Sequence, residues 1–284
     1  MVHFEDKFVA FIDILGFKNL VAAAEQGASI QLSDVLELLD KFQASKEQAE
    51  IAKYGPIACP QSSRIAPDLS FRATEVSDSL ILSAEVSPAG VANLIGKAWG
   101  VTVRFLQEGV LCRGYMTRGA LFHSGLRFLG SGYLRAYQHE RRVAAFGQGE
   151  DERGTPFVEL DPAVTEYVRT STDDCVKKIY ARCVESDGQY AALFPFRALE
   201  QSFVIGGIGA RLVDYSRVRQ GNVGLRGDIA AIKAQLWGAV DRTDARAVQK
   251  VEHYVRALDQ QLRGCDHVDQ VLDILGTPGS AQRE

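Results

Sequence analysis

The sequence predicts an α/β (α+β) protein: a βαββαβ palm with additional strands, followed by a helical C-terminal region. Three observations predict it. Phe8-Val9-Ala10-Phe11-Ile12 is apolar at every position, as a strand buried on both faces must be, and it leads through Gly16 into a helical run over 18–26. Two β-rich stretches, 69–76 and 79–83, meet at a two-residue turn and are followed by a capped helix and a long strand. Beyond residue 200 strand signals give way to helical stripes, so the expected division is a first domain over 1–200 and a helical extension packed on it over 201–284.

The elements follow in order. Leu32, Val35, Leu36, Leu39 and Phe42 recur at helical spacing within 30–49, with Ser33 as a possible cap. Residues 52–67 hold Pro56, Pro60 and Pro67 and read as an irregular loop. Ser77-Asp78 is the hairpin turn. Ser87-Pro88 supplies a capping serine and a first-turn proline to a helix reaching Leu106, whose far end Val101, Thr102 and Val103 weaken. The strand over 110–123 contains Gly114 and Gly119, which predict a bulge or a closely approached backbone. Ser124-Gly125 turns it into 126–129, and Gly130-Ser131-Gly132 opens a helix through Phe146. After a charged loop, 157–160 is a short strand and Asp161-Pro162 caps a helix over 163–169. Short strands are expected at 176–184 and 190–194, joined by Ser186-Asp187-Gly188. Apolar stripes over 225–240 and 244–262 predict an αα-hairpin, and 280–284 should fray.

Composition narrows the function classes. At 284 residues with 46% hydrophobic and 24% charged residues, the chain can bury a large core without staples. Its net charge of −4 leaves no basic footprint for nucleic acid. Five cysteines, odd in number and without CxxC spacing, indicate reduced thiols and a cytoplasmic setting. A core strand begins within eight residues of Met1, and no apolar run is long enough to span a bilayer, so neither a leader nor a membrane is expected.

Asp13 is the anomaly in the first strand, because a carboxylate in apolar surroundings must protonate, pair with a cation or bind metal. In a ferredoxin-like palm the first strand lies beside the hairpin of the second and third, which brings Asp78 to Asp13 across 65 positions of sequence. Two close carboxylates select hard cations, Mg²⁺ or Mn²⁺, and such pairs hold two ions for displacement at phosphorus. Arg113 and Arg118 would face phosphates or line a solvated strand edge, while His123 and His139 lack metal spacing and are assigned structural or solvent-facing roles.

Four segments carry a resemblance. Phe11-Ile12-Asp13-Ile14-Leu15-Gly16-Phe17, Val76-Ser77-Asp78-Ser79, Arg113-Gly114-Tyr115-Met116-Thr117-Arg118-Gly119, and 130–140 beginning Gly130-Ser131-Gly132 are together similar to class III nucleotide cyclases. Within that class they most resemble the bacterial pyrimidine (uridylate or cytidylate) cyclases of the Pycsar anti-phage system. The resemblance covers roughly 7–195 and implies the class III palm, with Asp13, Asp78 and the Ile14 carbonyl as ligands for two Mn²⁺ or Mg²⁺ ions. It implies conversion of UTP or CTP to a 3′,5′-cyclic monophosphate read by a downstream effector, and a homodimer whose active sites lie at the interface. Arg127 and Thr74 or Glu75 fall near the base-reading positions, and Phe17 near the substrate.

The chain also departs from the pattern. Leu134 and Gln138 stand where purine cyclases of this class carry Asn and, four residues on, Arg. Any replacement cation must come from Arg135, Arg141 or Arg142, and Arg141 shares the helical face of Gln138. The alternatives are a catalytically degenerate nucleotide-binding sensor, a purine (adenylate or guanylate) cyclase, and a palm-type transferase making another nucleotide product.

Overall fold

A computed structural model describes residues 3–27, 30–44, 46, 49, 50, 53, 69–149, 151–196 and 215–276. The expected loop over 52–67 and the expected fraying of 280–284 fall almost wholly or wholly outside these, as does Cys59. The chain forms two compact units, Met1–Pro195 and Phe196–Glu284.

The first unit runs β1 (Glu5–Ile14), α1 (Phe17–Glu25), α2 (Leu32–Leu39), β2 (Phe71–Val76), β3 (Ser79–Glu85), α3 (Pro88–Gln107), β4 (Cys112–Ser124), β5 (Arg127–Leu129), α4 (Ser131–Glu140), β6 (Val158–Leu160), α5 (Pro162–Thr170), α6 (Asp174–Cys183), β7 (Val184–Ser186) and β8 (Ala191–Leu193). The sheet is ordered β2-β3-β1-β4-β6-β8-β7, with β5 paired to β4 outside that path. Pairing among β2, β3, β1 and β4 is antiparallel throughout, which is the ferredoxin-like arrangement, and β6 extends it in parallel with β4.

Strand β1 is central, so its alternation sorts the core into two layers. Phe8, Ala10 and Ile12 join Leu80, Leu82, Met116 and Val158 in the larger cluster that α3 covers. Val9 and Phe11 face the other way, with Ile81, Leu121 and Ala136 beneath α4. Asp13 has the parity of Val9 and Phe11 and belongs to the α4 side.

The glycines of β4 mark close approach, not a bulge. Register is unbroken from Glu5 opposite Leu121 to Ile14 opposite Cys112. A Cβ on Gly114 would lie 2.3 Å from the Phe11 carbonyl oxygen, and one on Gly119 would lie 3.0 Å from the Gly132 Cα. Ser87 caps α3 by accepting from the Gly90 N–H at 3.0 Å, as expected. The β-branched stretch does not weaken its far end, because Val101 and Thr102 are buried and packing overrides propensity.

Several expectations fail for physical reasons. Residues 174–183 are helical, where a strand was expected over 176–184. Asp173 caps that helix through the Cys175 and Val176 N–H groups, and Val176, Ile179, Tyr180 and Cys183 have helical spacing. Helix α4 stops at Glu140, well short of Phe146, and the chain turns back so that Ala144 and Ala145 N–H groups reach Glu159. Helix α2 ends at Leu39, passes through a 3₁₀ turn over Asp40–Phe42 and meets Gln43 at φ 55°, a left-handed residue that breaks the longer helix expected. Its cap is Gln31, whose N–H donates to the Asp34 carboxylate, and not Ser33.

The second unit contains α7 (Tyr215–Ala239) and α8 (Ala245–Gly276), the expected hairpin with both helices longer than their apolar stripes. Arg219–Asp273, Arg226–Asp269 and Lys233–Asp259 pair in antiparallel order across it. Cys112, Cys175, Cys183 and Cys265 are buried, and none of them is in a disulfide. No helix among the described residues is long and apolar enough to cross a membrane.

Candidate active site

Strand β1 delivers Asp13 to its exit, where Gly16 at φ 80° turns the chain into α1. The β2–β3 hairpin delivers Asp78: Ser77 takes the left-handed conformation, φ 56°, that a two-residue hairpin needs at its first turn position. Asp13 lies opposite Ser79, and the Ile14 N–H donates to the Asp78 carbonyl at 3.0 Å. A cross-strand hydrogen bond thus holds the backbones of Ile14 and Asp78 together, each next in sequence to a residue of the Asp13–Ser79 pair.

The Asp13 carboxyl is pushed up to about 6. Burial is the largest cause; the Ser79 hydroxyl, donating at 2.8 Å, pulls it down; the charges of Asp78 and Glu140 push it up, and Arg113 opposes them. A carboxylate so placed is costly to ionise alone and is relieved by a cation. No three His, Cys, Asp or Glu side chains among the described residues form a complete metal cage. Two carboxylates and a backbone carbonyl nevertheless suit Mg²⁺ or Mn²⁺, which take much of their shell from waters and substrate phosphates.

Sequence reasoning missed the ion pair beside Asp13. Arg113 faces Asp13 across the β1–β4 ladder, and its Nε and Nη2 both donate to Oε1 of Glu140, the buried last residue of α4. Arg113 therefore neither faces phosphate nor lines a solvated edge. The available signal was parity: Arg113 shares the sheet face of Asp13, where a guanidinium withdrawn from solvent needs an acceptor. Arg118 pairs with Asp6 at the exposed surface.

The remaining candidates disperse. Arg141 follows Glu140 directly, its Nε 3.9 Å from the Glu140 carboxylate and its side chain open to solvent. Arg135 donates to the Arg118 carbonyl at 3.4 Å, and Arg118 lies opposite Phe8. Phe8 is five residues along β1 from Asp13, roughly 17 Å by strand rise, so Arg135 is not beside the pair. Phe17 packs against the larger core. Glu75 accepts from the Ala44 N–H at 2.9 Å. Leu134 and Gln138 are exposed on α4.

Thr74 is held in a buried network with His123. Its hydroxyl donates to the Gly125 carbonyl at 3.0 Å and so must accept from His123 Nε2 at 2.9 Å, while Ser83 donates to His123 Nδ1 at 2.8 Å. His123 is accordingly neutral, and burial lowers its pKa to about 4. This network staples the β4–β5 hairpin, which carries Arg127, to β2 and β3.

No protein-family profile and no curated protein matches the chain. Among solved structures, the catalytic core of a rhodopsin-guanylyl cyclase with converted specificity, in complex with ATPαS, aligns at TM-score 0.39 and 13% identity over 67% of this chain and 96% of its own. A class III adenylyl cyclase-like ATP-binding protein from Pseudomonas aeruginosa aligns at TM-score 0.34 and 10% identity over 58% of this chain and 35% of its own. Both likenesses are slight, and the site stands on this chain's own residues.

Chemically, the β1 exit offers two acids that can share divalent ions and, next to the Glu140 that anchors Arg113, the solvent-facing Arg141. That set can bind a polyphosphate and stabilise charge that develops on it.

Proposed function

We propose that the chain is a nucleotide cyclase acting on a pyrimidine nucleoside triphosphate, UTP or CTP, and that its product is a second messenger in anti-phage defence. The observation that carries the reading is the meeting of Asp13 and Asp78 at the exit of the central strand of a palm. Asp13, Asp78 and the Ile14 carbonyl would hold Mn²⁺ or Mg²⁺, which when bound supplies charge neutralisation for the triphosphate and a more acidic 3′-hydroxyl. In the reaction the 3′-oxygen bonds to the α-phosphorus, the bond to the β-phosphate oxygen breaks, pyrophosphate leaves and the hydroxyl proton passes to solvent. Arg141, exposed beside Glu140, would meet negative charge that develops on the phosphates. Arg113 and Glu140 fix the end of α4 from which Arg141 projects.

Arg127 lies at the far end of β4 from Arg113, up to about 35 Å of strand contour away. If Arg127 reads the base it therefore does so from a second copy, in a homodimer with composite sites. Exposed Leu126 and Leu129 flank Arg127, and exposed Leu134 and Tyr137 lie on α4, an apolar surface suited to such an interface.

Incubating the protein with each of the four ribonucleoside triphosphates and Mn²⁺, then weighing the products, tests the reading. A cyclic uridine or cytidine monophosphate that disappears with Asp78→Ala is the expected result; a cyclic purine nucleotide would move the assignment to an adenylate or guanylate cyclase. A second reading, a nucleotide-binding sensor without turnover, is favoured by Leu134 and Gln138, which bring no positive charge to α4. Binding of nucleotide with no product would select it.

A further inference from the structure

A cavity of about 500 Å³ lies between α4, the 141–146 turn and the β6–β8–β7 end of the sheet. Neither Asp13 nor Asp78 lines it. Its volume falls within the range of small-molecule sites, roughly 300–1,000 Å³. Its lining is unusually aromatic: Tyr115, His139, Tyr180 and Tyr190 all contribute, and the His139 ring stacks on Tyr115 at 4.9 Å with 27° between planes.

Two charged groups give the cavity a direction. Glu159 is 7% exposed, and its Oε2 accepts from the Ala144 and Ala145 N–H groups at 2.7 and 3.0 Å. Its Oε1 has no hydrogen-bond partner among the described residues, yet it is not one of the fully enclosed unpartnered atoms. That oxygen therefore borders open space, and the open space beside Glu159 is the cavity. A carboxylate oxygen on a residue only 7% exposed, itself bordering the cavity and left without a donor, is a recognition group awaiting one. Arg142, in contrast, is exposed at the rim and has no carboxylate partner among the described residues.

Aromatic walls accept a planar ring, the inner acceptor requires an N–H donor, and the outer guanidinium requires an anion. We propose that this cavity binds a nucleoside monophosphate with an amino-bearing base, its base inward, its amino group donating to Glu159 Oε1 and its phosphate on Arg142. The site does not depend on the cyclase reading, because it binds without divalent ions and without turnover. Ligand here packs against His139, one residue before Glu140, and so bears on the α4 end that adjoins Asp13.

The test is calorimetric titration of the full chain with CMP, AMP, GMP and UMP in the absence of divalent cations. The amino-bearing nucleotides should bind, and UMP should bind about tenfold more weakly. Arg142→Ala should weaken binding by about tenfold or more. Glu159→Gln, which keeps one acceptor and adds a donor, should erase the preference over UMP. Binding should survive Asp13→Asn combined with Asp78→Asn within about twofold. Arg142 is exposed and has no carboxylate partner among the described residues, so its variants fold, and a thermal melt checks the Glu159→Gln protein. Absence of binding by all four nucleotides, binding indifferent to Arg142→Ala, or binding lost with the two aspartates overturns the proposal.

Discussion

Asp13 works against the stability of its own fold. With its carboxyl raised to about 6 from 3.8, the folded chain holds a proton more tightly than the unfolded chain between those values, so stability falls as pH rises through that window. The deficit at neutral pH is about 1–3 kcal/mol, and a bound divalent cation offsets it. Asp13→Asn should raise the metal-free melting temperature by about 5 °C while abolishing both the Mn²⁺-induced rise and any cyclic product. A lower melting temperature for the variant would remove the strain argument. His123 shows the mirror case. Its folded pKa of about 4 lies below the 6.5 of a free imidazole, so the unfolded chain takes up the proton first and stability is lost as pH falls from 6.5 to 4. The loss should reach about 3 kcal/mol; urea midpoints at pH 7 and pH 4.5 should show it in the native chain and not in His123→Gln.

At the scale of elements, the Arg113–Glu140 pair ties the end of α4 to the start of β4. Removing one partner leaves a buried charge uncompensated, so Arg113→Ala should cost about 3–5 kcal/mol. Adding Glu140→Gln should recover a large part of that, which a double-mutant cycle by urea denaturation would read. Contact between β4 and β1 leaves no room for a side chain at Gly114, where a Cβ would sit 2.3 Å from the Phe11 oxygen. Gly114→Ala should cost at least about 1–3 kcal/mol, whereas Gly96→Ala, with nothing within 4 Å, should stabilise α3 by about 1 kcal/mol. Equal effects of the two changes in thermal melts would contradict this account of β4.

For the whole molecule, composite sites make a sharp demand. Asp13→Asn and Arg127→Ala proteins, each inactive alone, should regain activity when mixed, because a mixed dimer contains one site with both groups intact. About a quarter of wild-type turnover is the ceiling for equal mixing, since half the dimers are mixed and each has one good site of two. No recovery after exchange of subunits would place the base-reading role elsewhere.

The palm was legible because β1, the hairpin and β4 announce themselves by burial pattern and turn chemistry; Asp13 stood out as an acid in an apolar strand, whereas Asp78 is an ordinary turn residue that drew notice only because the palm topology brings it to Asp13. Residues 174–183 were not legible: Val176, Ile179, Tyr180 and Cys183 fit helix or strand until Asp173 is seen capping them. Nor was the value of each arginine. Arg113, Arg135 and Arg141 are alike as letters, yet one is buried on Glu140, one leans on a carbonyl far down β4, and one remains open beside the site.

The sequence by itself determined the order of elements from β1 to β4 and the acids at the ends of β1 and the hairpin, since local periodicity and turn chemistry act over a few residues. Only the tertiary structure decided which arginine accompanies those acids, which histidine is locked neutral, and that a cavity opens beneath the 141–146 turn. Those outcomes depend on distances between residues remote in the chain, set by packing and strand register.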